Sequence, residues 1–256
     1  MAAPAAEPAH EPRHEPFQPR DRRTTTDDAL AAILRAAPSN TREQHITLLN
    51  LQLPAFTIAN FLSAQECAEM IAIADKTNYC AERIAVDYRR SNRVLIDSPQ
   101  ASSILFERLA PLLAKVPGLG NGPKGGWKRC IGLNEMLRFL KYWPGDFFRW
   151  HQDERFVRED DGPYGKAKGD TSLLTMMIYL STPTKGGETN FRIGGSVPHA
   201  KGMHQSRAAA ETVLSVRPVT GMCLVFDHSL EHAGATVLEG TKAAIRTDVM
   251  YTRREE

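Results

Sequence analysis

The sequence has few cysteines and no excess of either charge. Its four cysteines include no C-x-x-C pair, which argues against a disulfide framework or a thiolate zinc site and favours a reducing compartment. The 32 basic residues stand against 30 acidic ones and leave a net charge of +2. A chain so nearly neutral shows no bulk attraction to polyanions. The charge therefore indicates no nucleic acid partner.

Long apolar segments are also missing. No stretch approaches the roughly 18 apolar residues that a membrane span needs. The N-terminus has no apolar segment after a basic start, and its glutamates are unusual for a transit peptide. We therefore expect an intracellular, cytoplasmic protein that uses no membrane, while the composition predicts nothing about its oligomeric state.

Residues 1–45 are predicted to contribute little to a core. Up to about residue 23, prolines recur among Ala, Glu, His and Arg, and such a composition buries too little apolar surface to offset its ordering entropy. We expect this tail to be disordered. A short helix is predicted from Asp27 to Ala37, and Pro38 marks its end.

Residues 46–130 are predicted to form a helical support region. Ser63 and Glu66 have the spacing of a capping box, in which each side chain satisfies the other residue's backbone N–H. Ser98-Pro99 provides an N-cap followed by proline at the first helical position. The predicted segments are a strand-like stretch at 46–58, a helix at about 64–76 and a helix from 99 up to Pro117.

From residue 131 to the end, short strands separated by Gly and Pro are predicted. Helices followed by many strands indicate a mainly β fold, a sandwich or barrel with supporting helices. The predicted strands are Leu133–Tyr142, Ser172–Ser181, Glu211–Val216, Met222–Phe226 and Ala243–Thr252.

Three residues of this β region are candidate metal ligands. His151 and Asp153 alternate on a predicted extended strand, so both side chains point to one side and can bind one ion; a surface strand in which Asp153 merely orients His151 is the alternative. His232, which closes the strand ending at Phe226, is the predicted third ligand. Two imidazoles and one carboxylate leave three coordination positions open, as in non-haem Fe(II) oxygenases, whereas zinc more usually has a closed tetrahedral shell. His228 competes with His232, but its setting of strand and loop removes the helical argument for it.

Arg246 is a candidate anion-binding residue. Alternation along the last strand places it on one face with Ala244, Asp248 and Met250. If this face looks into a barrel, the guanidinium requires an anion, because an unpaired buried charge is costly. A carboxylate of a small molecule would serve, and an internal ion pair with Asp248 remains the alternative.

Five motifs in order resemble the 2-oxoglutarate- and Fe(II)-dependent oxygenases, within them the prolyl 4-hydroxylase-like branch. The similarity covers roughly residues 133–252. The motifs are RFLKYWPGDFFRWHQD at 138–153, TMMIYLS at 175–181, GGETNF at 186–191, FDHSLEHAG at 226–234 and RTDVMY at 246–251. The chain departs from many relatives at Ala233, where they have Glu, and at Asp248, where they have a small hydroxyl residue.

The resemblance implies a double-stranded β-helix, a cupin-like jelly roll, over residues 131–256. It implies that His151, Asp153 and His232 are catalytic iron ligands. The implied cofactors are Fe(II), 2-oxoglutarate as co-substrate and O2, with ascorbate as a further candidate. The implied 2-oxoglutarate contacts are Arg246 for the distal carboxylate, together with Tyr142, Tyr179 and Thr175, and each tyrosine has core packing as its alternative.

The implied activity is a dioxygenase that hydroxylates a C–H bond and releases succinate and CO2. Its substrate would be a peptide, including a prolyl peptide, or a small molecule, because fold similarity does not choose among them. A non-enzymatic cupin-like metal-binding or scaffold domain is the alternative from another class, and an oxygenase that takes no 2-oxoglutarate is a second. The loop at 155–171 is a candidate lid, and the loop at 199–207 a candidate substrate loop.

Overall fold

The computed structural model describes residues 22–24, 29–36, 43–49, 51, 54–77, 79–82, 85–117, 119, 129–162, 166–193 and 212–253. Most of the predicted disordered tail and the predicted substrate loop at 199–207 lie outside these residues. Among the described residues, no helix is both long and apolar enough to span a bilayer.

The helices precede most of the sheet in the chain, as predicted. The capping box at Ser63 and Glu66 is confirmed: the Ser63 hydroxyl accepts from the Glu66 N–H, and the Glu66 carboxylate accepts from the Ser63 N–H. Ser98 caps the last helix by accepting from the N–H of Ala101. The helices are α1 (Ala29–Ala36), α2 (Ala64–Lys76), α3 (Ala85–Tyr88) and α4 (Pro99–Leu113).

Strands make up most of the rest of the described chain. They are β1 (Arg22–Thr24), β2 (Ile46–Leu48), β3 (Ala55–Ile58), β4 (Cys80–Glu82), β5 (Arg89–Asp97), β6 (Arg129–Leu133), β7 (Met136–Tyr142), β8 (Phe147–His151), β9 (Thr171–Tyr179), β10 (Lys185–Gly186), β11 (Thr189–Ile193), β12 (Thr212–Val216), β13 (Cys223–Asp227), β14 (His232–Gly234), β15 (Val237–Glu239) and β16 (Lys242–Thr252).

These strands curl into two layers. In the described residues, the hydrogen-bonded order is β12-β11-β14-β8-β5-β7-β16-β9-β13-β3-β2. β5 joins the layers, since Arg89 and Arg90 pair with β8 while Asn92–Asp97 pairs with β7. The larger layer runs from β5 to β2, and the smaller layer contains β8, β14, β11 and β12. This antiparallel, doubly layered arrangement is the predicted jelly roll.

Three details of the N-terminal half differ from the predictions. The tail expected to be disordered to about residue 23 ends in β1, which pairs in parallel with β5. The strand-like stretch at 46–58 is two strands, β2 and β3, that pair antiparallel. The expected helical support region also supplies β5 to the middle of the sheet, and no apolar alternation marks its Arg- and Asn-containing first half.

The main core lies between the larger layer and the helices. Along β7 and β16, alternate residues such as Phe139 and Ile245 are fully buried against this helical side. Leu105 of α4 and Met70 of α2 pack into the same cluster. The opposite, concave side of these strands faces the smaller layer, and that space contains the candidate site.

The segment after Asp153 is attached to the sheet over its described part. Arg158 and Lys166 donate to the two carboxylate oxygens of Glu135, at 2.5 and 2.7 Å. Burial opposes the charged form of Glu135, but these two cations outweigh it and lower the pKa of the carboxyl. Val157 forms a bridge with Thr171. The predicted lid at 155–171 is therefore anchored at several points, and its residues 163–165 lie outside the described chain.

Candidate metal centre

Strand register brings the three predicted metal ligands together. His151 is the last residue of β8, His232 is the first of β14, and the two are directly paired. Asp153 follows β8 by two residues rather than lying within a strand. His232 likewise opens a separate short strand instead of closing β13. The nearest ligand atoms of His151, Asp153 and His232 all lie within 4.8 Å of one another.

Each imidazole is oriented by a backbone carbonyl. His151 Nδ1 lies 2.7 Å from the carbonyl oxygen of Arg149, and His232 Nδ1 lies 3.0 Å from that of Leu230. A carbonyl can only accept, so both Nδ1 atoms carry the proton and both Nε2 lone pairs are left for a ligand. The Nε2 atoms lie 3.8 and 3.6 Å from the oxygens of Asp153.

Burial keeps both histidines neutral. Desolvation by burial lowers the pKa of His151 to about 3. Desolvation also lowers the pKa of His232, which is 4% exposed. Neutral imidazole is the metal-binding form. The site is therefore in the protonation state that a metal requires at neutral pH.

Asp153 is held as a carboxylate by two neighbours. The Thr175 hydroxyl donates to its Oδ2 at 2.5 Å, and Arg246 Nη2 lies 3.0 Å from its Oδ1. Burial alone would raise the pKa of Asp153, but the charge of Arg246 and the Thr175 hydrogen bond hold it well below its usual range. Asp153 thus offers a negative charge beside two neutral imidazoles.

His228 lies close to the site but has both nitrogens engaged. Its Nδ1 lies 3.0 Å from the Thr175 hydroxyl, and its Nε2 lies 3.0 Å from the Ser172 hydroxyl. Its backbone carbonyl accepts from the N–H of Asp153. His228 therefore holds Thr175 and Asp153 in position through hydrogen bonds. The histidine that lies with His151 and Asp153 is His232.

The predicted cofactor contacts separate into two groups. Tyr142 and Arg246 line the cavity that contains the three candidate ligands. Thr175 instead points its hydroxyl at Asp153, and the fully buried Tyr179 shares a hydrogen bond of 2.7 Å with the Thr189 hydroxyl. The alternative of core packing thus describes Tyr179 well, and among the predicted contacts Tyr142 and Arg246 alone face the cavity.

Arg246 has acidic partners inside the protein. Its Nη2 lies 3.3 Å from Asp248 and 3.0 Å from Asp153. Arg138, directly opposite on β7, lies 3.1 Å from the second oxygen of Asp248. The ion pair between Arg246 and Asp248, left open as an alternative, is present. The two arginines face each other across the strands and share this one carboxylate.

Lys242 is a cavity residue that the motifs did not single out. Its side chain is 3% exposed, and its Nζ donates to the carbonyl of Gly187 at 2.7 Å. The ammonium lies 5.4 and 5.5 Å from the ring centres of Tyr142 and Tyr179. No carboxylate in the described chain lies within ion-pair distance of it. The sequence did contain a signal, because Lys242 is four residues before Arg246 on the same alternating face.

Comparisons with known proteins agree with these motifs. The model of the 2OG-Fe(II) oxygenase superfamily matches residues 137–247. Among curated proteins, Prolyl 4-hydroxylase 1 of Arabidopsis thaliana is 24% identical over 202 residues, 72% of this chain and 64% of the relative. Probable prolyl 4-hydroxylase 6 of the same plant is 27% identical over 212 residues, 77% of this chain and 69% of the relative. The chain thus spans about two thirds of the length of these curated relatives.

Solved structures of similar shape include prolyl hydroxylases. The viral collagen prolyl hydroxylase of Paramecium Bursaria Chlorella virus-1, in complex with 2OG, has 22% identity and a TM-score of 0.47 over 77% of this chain and 96% of its own. The Pseudomonas putida prolyl-4-hydroxylase has 19% identity and a TM-score of 0.46 over 88% and 100%. The family resemblance predicted from the motifs is confirmed to this extent: residues 137–247 match the model of the 2OG-Fe(II) oxygenase superfamily.

Proposed function

We propose that this chain is an Fe(II)- and 2-oxoglutarate-dependent dioxygenase that hydroxylates a C–H bond of its substrate. The observation that carries the proposal is the convergence of two Nε2 atoms and one carboxylate within 4.8 Å in a cavity. Both imidazoles are already in the ligand tautomer. Two histidines and one carboxylate on one side of an ion leave positions open for a co-substrate and dioxygen.

His151, Asp153 and His232 would hold the iron. When bound, Fe(II) together with 2-oxoglutarate supplies the oxidising chemistry, with succinate and CO2 as by-products. The protein's part is to orient the donors. The carbonyls of Arg149 and Leu230 fix the two imidazole rings, and Thr175 fixes Asp153. Such outer contacts typically strengthen metal affinity about 10- to 100-fold.

Lys242 is the cation best placed for the distal carboxylate of 2-oxoglutarate. Its ammonium is buried in the cavity, and its one direct hydrogen-bond partner is a neutral carbonyl, that of Gly187. A buried ammonium without an acid in ion-pair contact is unfavourable until an anion binds. Tyr142, whose ring lies 5.4 Å away, is on the same wall and is proposed as a second contact.

Arg246 was predicted for this role, and its contacts favour a different one. Its guanidinium already faces Asp153 and Asp248. We therefore propose that Arg246 holds the metal-binding carboxylate in place, while Lys242 receives the co-substrate. Ascorbate stays a candidate reductant, and the domain division at residues 45 and 130 stays a proposal.

The substrate class is a peptide or a small molecule. The names of the relatives favour a prolyl peptide, since the curated ones are prolyl 4-hydroxylases. A protein that keeps the fold and binds a metal without turnover is the rival from another class.

Anaerobic titration with Fe(II) and 2-oxoglutarate tests the proposal. We expect a visible metal-to-ligand charge-transfer band that requires both components. His151→Ala, Asp153→Ala and His232→Ala should each abolish the band, because each removes a ligand. His45→Ala is the matched control, since this exposed histidine lies outside the site.

Two results would contradict the proposal. A band that forms with Fe(II) but without 2-oxoglutarate would favour an oxygenase of another type, and the absence of any band would favour the scaffold alternative. If His228→Ala lost the band while His232→Ala kept it, the third ligand would be His228.

A further inference from the structure

A row of buried polar side chains lies behind the candidate metal ligands. Two of them belong to β9 and the third directly follows β13, and their exposed fractions are 0 to 2%: Ser172, Thr175 and His228. Polar groups this deeply buried rely on partners inside the protein, because bulk water does not reach them. The number of protons in the row therefore decides which atom donates and which accepts.

The Thr175 hydroxyl supplies the first of these protons. Thr175 Oγ1 lies 2.5 Å from Asp153 Oδ2 and 3.0 Å from His228 Nδ1. A carboxylate can only accept, so the single hydroxyl proton points at Asp153. The Thr175 oxygen must then accept from His228, which requires the proton of the imidazole to be on Nδ1.

The far side of the imidazole completes the row. Burial lowers the pKa of His228, so the ring is neutral at neutral pH. With Nδ1 protonated, Nε2 of the neutral ring is an acceptor, and it lies 3.0 Å from the Ser172 hydroxyl. The Ser172 oxygen itself accepts from the N–H of Phe156 at 2.8 Å. Each donor therefore points toward the metal ligand, in the order Phe156, Ser172, His228, Thr175, Asp153.

The backbone of His228 is attached to the same part of the protein. Its N–H donates to the carbonyl of Leu173 on β9 at 3.1 Å, and its carbonyl accepts from the N–H of Asp153 at 3.1 Å. His228 therefore contacts the ligand residue directly through the main chain and its carboxylate indirectly through Thr175. Two independent sets of hydrogen bonds converge on the position of Asp153.

The tautomer of His228 decides which group the Thr175 hydroxyl serves. If the proton were on Nε2, Nδ1 would be an acceptor 3.0 Å from Thr175 and would compete with Asp153 for the hydroxyl proton. With the proton on Nδ1 this competition is absent, and Asp153 receives the hydrogen bond. Hydrogen bonds to a metal-binding carboxylate fix the direction of its oxygens and contribute to metal affinity.

We propose that His228 is a positioning residue of the candidate metal centre, which acts on Asp153 through Thr175 and raises the affinity of the site for Fe(II). This inference rests on the proposed function, in which Asp153 binds iron, and it adds a residue beyond the three ligands. His228 performs this role without touching the metal. It keeps the Thr175 hydroxyl directed at the carboxylate.

The tautomer is tested on the full chain without metal, prepared with isotope-labelled nitrogen. Two-dimensional NMR that correlates ring nitrogens with ring protons distinguishes a protonated Nδ1 from an unprotonated one. The signals that vanish when His228 is substituted identify this residue. We expect a neutral ring with its proton on Nδ1, and a proton on Nε2 would overturn the inference.

Two amide substitutions separate the roles of the two ring nitrogens. In His228→Asn the amide nitrogen takes the place of Nδ1 and can still donate to Thr175, whereas in His228→Gln it takes the place of Nε2 and reaches only Ser172. Both variants lose one buried contact, so both should be less stable. Anaerobic calorimetry with Fe(II) should give a Kd within about threefold of the unsubstituted value for His228→Asn and at least about tenfold weaker for His228→Gln. His45→Gln, at an exposed histidine, is the control and should leave the Kd unchanged.

Thr175 provides the second half of the test. Thr175→Val removes the hydroxyl and should weaken Fe(II) binding at least about tenfold, while Thr175→Ser keeps it and should stay within about threefold. Because His228 is proposed to act through this hydroxyl, adding His228→Gln to Thr175→Val should change the Kd by less than about twofold. If His228→Gln does not fold, Thr175→Val and the tautomer still test the inference.

Three binding results would overturn the inference. They are an unchanged Kd in His228→Gln, equal losses in His228→Asn and His228→Gln, and additive losses in the double variant. Equal losses would mean that the ring has only a structural role. The charge-transfer band with Fe(II) and 2-oxoglutarate is recorded first on the unsubstituted protein. Failure of the proposed function removes that band, whereas failure of this inference leaves it intact.

Discussion

The two faces of the larger sheet layer differ in kind although they belong to the same strands. On the face toward the helices, β7 and β16 present residues such as Phe139 and Ile245, both fully buried in the main core. On the face toward the smaller layer, the same strands present Arg138, Lys242 and Arg246. One face excludes water from apolar groups, and the other collects charges around a cavity.

The difference shows which part of the sheet stabilises the fold and which part serves chemistry. Apolar burial stabilises by roughly 25 cal/mol for each Å² removed from water. Buried charges gain much less, because desolvation offsets their attraction. The cavity face is therefore expected to cost stability, and the helix-facing side to supply it. Truncating an apolar residue on the helix-facing side should therefore lower stability, whereas neutralising Lys242 on the cavity face should weaken anion binding without lowering stability.

The largest expected effect is on the helix-facing side. Phe139→Ala should lower the free energy of unfolding by about 3 to 5 kcal/mol, because it leaves a cavity in a closely packed core. Chemical denaturation measures the loss. Leu238→Ala, at a position 53% exposed, is the matched control and should change stability by less than about 0.5 kcal/mol.

The folded fraction of the Phe139 variant should still bind 2-oxoglutarate with its Fe(II)-dependent band. If binding were lost in molecules that remain folded, the separation of the two faces would be wrong.

The helix-facing side is also the part of the fold that the sequence predicts well. Its elements can be predicted from residues that are close together in the sequence. The capping box is predicted from the three-residue spacing of Ser63 and Glu66, and the helix-facing side of β16 is predicted from the alternation of side chains along a strand. The first half of β5 escaped prediction because its Arg and Asn residues face a charged cavity and other strands. Its place in the sheet depends on long-range pairing with β7 and β8.

The sequence predicted the candidate metal ligands better than it predicted the residue that binds the co-substrate. His151 and Asp153 were predicted from a local His-x-Asp spacing, whereas His232 was predicted from its position after the strand that ends at Phe226. Which cation serves the co-substrate was not decidable from the chain, because Arg246 and Lys242 share one face. Their difference is that Asp153 and Asp248 lie beside Arg246. Folding brings Asp153 next to Arg246, so this difference between the two cations cannot be read from the sequence.

The second largest effect is expected at Lys242. Lys242→Met removes the ammonium but keeps an unbranched side chain, so 2-oxoglutarate affinity should fall by at least about 30-fold, or about 2 kcal/mol. The free energy of unfolding should not fall, because burial disfavours the lysine charge and lowers its pKa. Titration of 2-oxoglutarate into the Fe(II)-loaded variant, beside its denaturation curve, measures both.

Arg246→Leu is the comparison for that experiment. We expect it to lower stability and weaken Fe(II) binding, since it leaves Asp153 and Asp248 without this cation. If instead Arg246→Leu lost 2-oxoglutarate affinity by more than about tenfold with Fe(II) binding intact, while Lys242→Met retained it, the assignment suggested by the motifs would be restored.

The smallest effect is a pH dependence that arises at the same lysine. Burial lowers the pKa of Lys242 to about 8, against the opposing charge of Glu188. The ammonium is therefore mostly present at pH 7 and mostly lost at pH 9, so 2-oxoglutarate affinity should fall about tenfold between them. Stability should move the other way: the unfolded lysine titrates near 10.4 and holds its proton longer, so this residue makes the free energy of unfolding rise with pH between the two pKa values. Lys242→Arg keeps its charge throughout. Its affinity should be flat over this pH range, and an equal fall in both proteins would place the titrating group elsewhere.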